Sequence, residues 1–159
     1  MASTAYDGII SHHLNRHISR PLAAWLARTR ATPNQVSLFS FLIAVTAGVA
    51  FALQQGWLGG LLAQLSSVVD GVDGDLARLK QMTSRFGAVW DAVLDRYADA
   101  AIVVGMTLAA ASTVPTLWAW LVGVIALLGA LMVSYSRARA EASVGVQFRE
   151  GWAALASRD

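Results

Sequence analysis

The stretch that decides the fold is DGVDGDLARLKQMTSRFGAVWDAVLD, residues 70–95, which follows the pattern D-x2-D-G-x2-A-R-x8-G-x3-D-x3-D. On a helix, Asp70 and Asp73 share one face because they are three residues apart. Asp91 and Asp95, four residues apart, share a face in the same way. Four converging carboxylates would repel one another strongly unless a cation lay between them. Because all these ligands are oxygens, the pattern predicts a site for magnesium or manganese rather than zinc.

The rest of the chain is too apolar for an ordinary soluble domain. Of its 159 residues, 56% are hydrophobic and 14% are charged, and the mean hydropathy is +0.52. The length fits one domain. The absence of cysteine excludes a disulfide framework and a thiolate metal site. The arginines among the first thirty residues argue against a cleavable signal peptide.

Four membrane helices are predicted from the apolar segments. Residues 36–53 and 117–136 carry no charge and are long enough to cross a bilayer core. Thr32 and Pro33 are typical of a helix start ahead of the first of these segments. The other two helices carry the aspartates, over 57–79 and 86–111. The fold class is therefore all-α: a polytopic membrane helix bundle with four transmembrane helices in this chain.

The basic residues predict the orientation of this bundle. All twelve Lys and Arg lie in the N-terminal arm, in the turn 78–85, at Arg96, or from Arg137 onward. The loops 54–56 and 111–116 carry no charge. By the positive-inside rule, both ends of the chain and the aspartate motif face the cytoplasm.

Three segments are predicted along the chain. Residues 1–31 form a cytoplasmic juxtamembrane arm, where apolar side chains at helical spacing, interleaved with arginines, predict an amphipathic helix on the membrane surface. Residues 32–141 form the transmembrane catalytic core, and residues 142–159 a cytoplasmic tail. His13 and His17 have the spacing of a zinc-binding pair, but no third ligand is near, so we assign them to the surface of the arm helix.

The residues around the aspartates favour chemistry on phosphates. Gly71, Gly74 and Gly87 have no side chain and would let a ligand approach the backbone. Arg78 supplies a cation suited to a phosphate oxygen. Two divalent ions held by four carboxylates would stabilise both the attacking and the leaving oxygen of a displacement at phosphorus. The pattern therefore favours the transfer of a phosphoryl-linked group to an alcohol.

The complete spaced motif resembles the signature of the CDP-alcohol phosphotransferase family, integral membrane enzymes that cleave CDP-activated alcohols. TPNQVS (32–37) and SYSRARAE (134–141) resemble the family's segments before the first and at the end of the fourth membrane helix. The resemblance implies six membrane helices, dependence on Mg²⁺ or Mn²⁺ with two ions bound, and release of CMP. Because this chain ends where a fifth helix would begin, we expect it to be truncated or to be completed by a second chain.

The resemblance also implies roles for individual residues. The residues that would bind the metal ions are Asp70, Asp73, Asp91 and Asp95. Asp95 would in addition be the general base that accepts the proton of the attacking hydroxyl. The residues that would contact the nucleotide are Pro33, Asn34, Gln35, Val36, Gly74, Arg78 and Ser84. Arg137, assisted by Arg139, would hold an anionic acceptor such as an inositol phosphate.

The resemblance leaves the donor open between CDP-diacylglycerol and CDP-inositol. The segments TPNQVS, DGDLARLK and LDRYAD look closest to the branch that makes inositol phosphodiesters, but phospholipid synthases share the motif. The expected partners are the CDP-alcohol, a small polar alcohol, membrane lipid and a second copy in a homodimer, with no nucleic acid. The alternative function is a membrane cation transporter or channel that uses the intramembrane aspartates. It is disfavoured because the acids lie towards one face and the outer halves of the spans are uncharged.

Overall fold

The computed structural model describes residues 19–144, which form five helices and no strand. The helices are α1 (19–27), α2 (Pro33–Ala52), α3 (Gly56–Leu79), α4 (Arg85–Ala110) and α5 (Thr116–Val144). The predicted all-α class is confirmed, and the four long helices match the four predicted segments closely. Most of the predicted arm helix, His13, His17 and most of the tail 142–159 lie outside the described residues.

The start of α2 has the cap that the sequence predicts. Thr32 is the N-cap residue, with extended backbone, and Pro33 occupies the first turn, where its missing N–H costs no hydrogen bond. The Gln35 side chain completes the cap, because its Oε1 accepts a hydrogen bond from the backbone N–H of Thr32 at 3.0 Å. The direction in which the chain enters α2 is therefore fixed locally.

Helix α2 is the central helix, since α3 and α4 both pack against it, and α5 packs against α4. The contact with α4 is at backbone distance: a Cβ added to Gly105 would overlap the carbonyl of Gly48. A Cβ on Gly48 would likewise overlap the carbonyl group of Ala101. Small residues allow membrane helices to approach in this way, which holds α4 firmly on α2.

A small core joins α1 to α2 and α3. Its buried members are Ala23, Val36, Val69, Val72 and Leu76. Lys80, just after α3, ties down the linker between α1 and α2: its Nζ donates to the carbonyl oxygens of Thr29 at 2.8 Å and Ala31 at 2.6 Å. Helix α1 is thereby held against the end of α3 that carries the aspartates.

Within residues 19–144, two helices are long and apolar enough to cross a membrane, Pro33–Ala52 and Thr116–Ser143. They correspond to the two uncharged spans predicted from the sequence. Helix α5 leaves many large apolar side chains exposed along its length. For α3 and α4, which carry the aspartates, membrane crossing remains a prediction, and so does the amphipathic character of the arm.

Candidate active site

Three of the four motif aspartates form one cluster. Carboxylate oxygens of Asp70 on α3 and of Asp91 and Asp95 on α4 all lie within 4.8 Å of one another. The three side chains are partly buried, so their mutual repulsion is screened less than at an open surface. Asp91 Oδ1 is buried and has no hydrogen-bond partner among the described residues. A buried acceptor without a donor, inside an all-oxygen cluster, fits a divalent cation.

The fourth aspartate, Asp73, lies beside this cluster rather than in it. It is only 6% exposed, and its Oδ2 accepts a hydrogen bond from Ser37 Oγ on α2. Its neighbour one turn away, Asp70, accepts a hydrogen bond at Oδ1 from Ser40 Oγ at 3.2 Å. The structure thus brings Asp73 close to the cluster, and its role as a metal ligand stays a prediction.

The two serines were missed by the reasoning from sequence. Ser37 and Ser40 are three residues apart on α2, the same spacing as Asp70 and Asp73 on α3. Hydroxyl groups at one helical interval in an otherwise apolar segment were the signal that could have identified them. Both are almost fully buried, at 3% and 4% exposure, so their hydroxyls can bond only inside the protein.

A cavity of about 330 Å³ opens beside the cluster, and both Asp73 and Asp91 line it. Five of the seven residues predicted to contact the nucleotide also line it: Pro33, Asn34, Gly74, Arg78 and Ser84. A Cβ on Gly74 would meet no atom within 4 Å, so this backbone is open to an approaching ligand. The cavity is therefore lined by carboxylates together with the cationic Arg78 and the backbone of Gly74.

The other two predicted nucleotide contacts, Gln35 and Val36, are not among the residues that line this cavity. The Gln35 side chain is used in the cap of α2, and Val36 belongs to the core beside Ala23. Both residues therefore have a structural explanation, and their contact with a nucleotide stays a prediction.

Arg78 and Ser84 lie at the rim of the cavity with local partners. The Arg78 side chain is 70% exposed, and its Nη1 pairs with Asp75 Oδ1 at 3.2 Å. Asp75 Oδ2 also accepts a hydrogen bond from Ser19 Oγ of α1 at 3.4 Å. Ser84 is the N-cap of α4, and its Oγ accepts a hydrogen bond from the backbone N–H of Gly87 at 2.9 Å.

A second cavity of about 350 Å³ also borders the cluster, lined among others by Asp70 and Asp95. Arg96 also lines it, with Nη2 at 3.7 Å from Asp95 Oδ2 and Nη1 at 3.0 Å from Asp99 Oδ2. Asp95, the predicted general base, thus lines a cavity that is also lined by the cationic side chain of Arg96. The carboxylates thus line two cavities, Asp73 and Asp91 the first, and Asp70 and Asp95 the second.

The predicted acceptor contacts are placed away from these cavities. Arg137 and Arg139 lie near the end of α5, are exposed, and are not among the residues that line either cavity. Arg137 Nε pairs with Glu141 Oε1 at 3.2 Å, one helical turn further along α5. Their role in holding an acceptor stays a prediction.

Comparison with known protein families gives one match that spans most of the chain. A sequence model of the CDP-alcohol phosphatidyltransferase family matches residues 30–155. The bifunctional IPC transferase and DIPP synthase of Rubrobacter xylanophilus is 47% identical over 144 residues, which cover 91% of this chain and 32% of the relative. The chain thus spans about a third of the length of the first curated relatives that it matches.

Solved structures of one protein share the fold. The crystal structure of phosphatidylinositol phosphate synthase from Mycobacterium tuberculosis with CDP-DAG bound aligns with a TM-score of 0.73 and 30% sequence identity, covering 80% of this chain and 64% of that one. A second crystal structure of that protein, in complex with manganese and citrate, aligns with the same TM-score over 82% of this chain and 62% of that one.

Proposed function

The chain belongs to the CDP-alcohol phosphatidyltransferase family, and from that premise we propose that its aspartate cluster transfers a substituted phosphate from a CDP-alcohol to an acceptor hydroxyl, releasing CMP. The observation that carries the proposal is the group of three carboxylates within 4.8 Å beside a cavity lined by Gly74 and Arg78. Family membership favours this transferase over the cation transporter or channel that the aspartates alone left open.

In the proposed reaction, the acceptor oxygen forms a bond to the phosphorus that carries the alcohol. The phosphoanhydride bond to CMP breaks, and its electron pair leaves with CMP. Asp95 takes the proton of the attacking hydroxyl. Asp95 lines the second cavity and not the first, so we propose that the acceptor enters through the second cavity. Gly74 and Arg78 bind the diphosphate in the first cavity, where the Arg78 guanidinium offsets its negative charge.

The metal ions that we propose are two Mg²⁺ or Mn²⁺ ions held by Asp70, Asp73, Asp91 and Asp95. The all-oxygen cluster and the unpartnered Asp91 Oδ1 support a hard divalent cation, and the Mycobacterium relative was crystallised with manganese. Such ions, when bound, neutralise charge on the diphosphate and on the departing CMP.

The substrates and the setting complete the proposal. The donor is CDP-diacylglycerol or CDP-inositol and the acceptor an inositol phosphate, whose anionic group Arg137 and Arg139 would hold. The apolar helices and the family indicate a membrane protein. Beyond this, we propose a multi-pass homodimer whose site, within the core segment 32–141, faces the cytoplasm.

The test is Mg²⁺-dependent release of CMP by the longest natural form of the protein, reconstituted in lipid vesicles. CDP-diacylglycerol and CDP-inositol are supplied in parallel, each with inositol 1-phosphate. Release with one donor identifies the branch. Asp95→Asn should abolish turnover while CDP still binds, because it removes the base and keeps the shape of the side chain. If neither donor releases CMP and CDP does not bind, the transferase proposal is wrong.

A further inference from the structure

Two of the carboxylates that we propose to bind metal, those of Asp70 and Asp73, accept hydrogen bonds from serine hydroxyls on α2. Ser37 Oγ donates to Asp73 Oδ2, and Ser40 Oγ donates to Asp70 Oδ1 at 3.2 Å. The two hydroxyls and the two carboxylates are each one helical interval apart, so α2 and α3 are in register at this place. Ser37, Ser40 and Asp73 are buried where the two helices meet, and Asp70 is partly buried there.

Each hydroxyl has a second acceptor within reach on its own helix. Ser37 Oγ is 3.2 Å from the carbonyl oxygen of Pro33, and Ser40 Oγ is 3.2 Å from that of Ser37. A hydroxyl has one proton, and an ionised carboxylate is the stronger acceptor. Each serine hydroxyl therefore donates its hydrogen bond to the carboxylate of Asp70 or Asp73 when that carboxylate is charged.

A hydrogen bond of this kind has a consequence for coordination. It engages one oxygen of each carboxylate, Asp70 Oδ1 and Asp73 Oδ2, and leaves the second oxygen available to a cation. A carboxylate held in this way favours binding through a single oxygen. Mg²⁺ and Mn²⁺ accept such ligands in a compact octahedral shell, whereas Ca²⁺ takes six to eight oxygens and often both oxygens of one carboxylate.

We propose that Ser37 and Ser40 are positioning residues that tune the metal preference of the aspartate cluster, raising its affinity for Mn²⁺ and Mg²⁺ relative to Ca²⁺. This inference rests on the proposed function, because it assumes that the cluster binds divalent cations. The serines act on the metal through Asp70 and Asp73, although Ser37 also lines the first cavity and Ser40 the second. Hydrogen-bonded partners of metal ligands typically change metal affinity by about 10–100-fold when they are removed.

The experiment compares Mn²⁺ and Ca²⁺ binding in detergent-purified protein, without any substrate. Free Mn²⁺ is measured by electron paramagnetic resonance, and Ca²⁺ by its displacement of Mn²⁺. The variants are Ser37→Ala and Ser40→Ala, singly and together, with Ser37→Thr and Ser40→Thr as variants that keep a hydroxyl. Ser66→Ala is the matched control: Ser66 is buried in the same interface, but its Oγ donates to the backbone carbonyl of Ser40 at 2.9 Å.

The alanine variants should bind Mn²⁺ at least tenfold more weakly, with a much smaller change for Ca²⁺. The Kd for Ca²⁺ divided by the Kd for Mn²⁺ therefore falls by about tenfold. The threonine variants and Ser66→Ala should keep both affinities. If the double variant does not fold, as judged by helicity and by gel filtration, the single variants carry the comparison. Unchanged Mn²⁺ affinity and an unchanged ratio in Ser37→Ala and Ser40→Ala overturn the inference.

This experiment separates the inference from the proposed function. If the unchanged protein binds no Mn²⁺, the metal-dependent transferase itself is in error. If the unchanged protein binds Mn²⁺ and the alanine variants bind it equally well, the transferase stands and only the role of the two serines is refuted. A loss of Mn²⁺ affinity shared equally by Ser66→Ala would also refute that role, since it would reflect looser packing of α2 on α3.

Discussion

Replacing Gly105 by alanine should disturb the site from a distance. An added Cβ would lie 2.7 Å from the carbonyl carbon of Gly48 on α2, whereas carbon atoms in van der Waals contact are about 3.5–4.0 Å apart. The obstacle is backbone and cannot rotate away, so α4 must withdraw from α2 by about 1 Å. Asp95 is ten residues away on the same helix, about 15 Å along its axis, and moves with it.

Two effects of Gly105→Ala follow from this shift. The overpacked crossing should cost about 1–3 kcal/mol of unfolding free energy. At about 2–4 °C per kcal/mol, this lowers the melting temperature by several degrees. Because Asp91 and Asp95 move relative to Asp70, the carboxylate cluster opens, and a misplacement of about 1 Å can lower turnover by about a hundredfold.

The assay measures melting by circular dichroism in detergent, and Mn²⁺ binding and CMP release on the same preparation. The control is Gly60→Ala, since a Cβ on Gly60 in α3 would meet no atom within 4 Å. That variant should melt at the same temperature or slightly higher, because alanine favours the helix by about 1 kcal/mol over glycine. If Gly105→Ala melts and binds Mn²⁺ like Gly60→Ala, the tight α2–α4 crossing does not set the geometry of the cluster.

Three further changes test the rim of the site. Asp75→Asn removes the charged partner of Arg78. Because this ion pair is exposed, KM for the CDP donor should rise by no more than about fivefold, with kcat unchanged. A fall in kcat alone would contradict this expectation. Lys80→Met frees the linker ahead of α2 and should cost about 1 kcal/mol in thermal melting, an effect that an unchanged melting curve would refute. Ser84→Ala removes the cap of α4 and should cost about 0.5–2 kcal/mol, whereas Ser84→Gly should cost only a few tenths; equal losses would rule out the cap.

Spacing along one helix predicted the cluster, because it places residues on a common face. The intervals between Asp70 and Asp73 and between Asp91 and Asp95 are helical, and the structure brings Asp70, Asp91 and Asp95 within 4.8 Å. The start of α2 at Pro33 was predictable for the same reason, since caps depend on neighbours in sequence. Rules that depend only on neighbouring residues therefore predicted the helices and the grouping of most of the carboxylates.

Spacing could not predict contacts that depend on how two helices meet. The bonds from Ser37 and Ser40 require the register of α2 against α3, which neither helix specifies alone. Asp75, which occupies a variable position of the motif, is partly covered by α1 and paired with Arg78. Similarity of a whole segment also cannot say where each side chain points, because successive helical residues differ by about 100°.

The face of α2 that is buried explains how aspartates from two different helices meet. Its buried residues are Val36, Ser37, Ser40, Ala44, Ala47, Gly48 and Ala50, and none is larger than valine. Because α3 and α4 each pack on this helix, its small side chains let both approach closely, and the distance between Asp70 and the α4 carboxylates depends on the thickness of α2. A helix of leucine and phenylalanine would bury more area but hold α3 and α4 further apart. The small residues of α2 are therefore part of the metal site although only its serines bond to a carboxylate. An added methyl group at Gly48, where it would overlap the carbonyl group of Ala101 on α4, should weaken metal binding before it unfolds the chain.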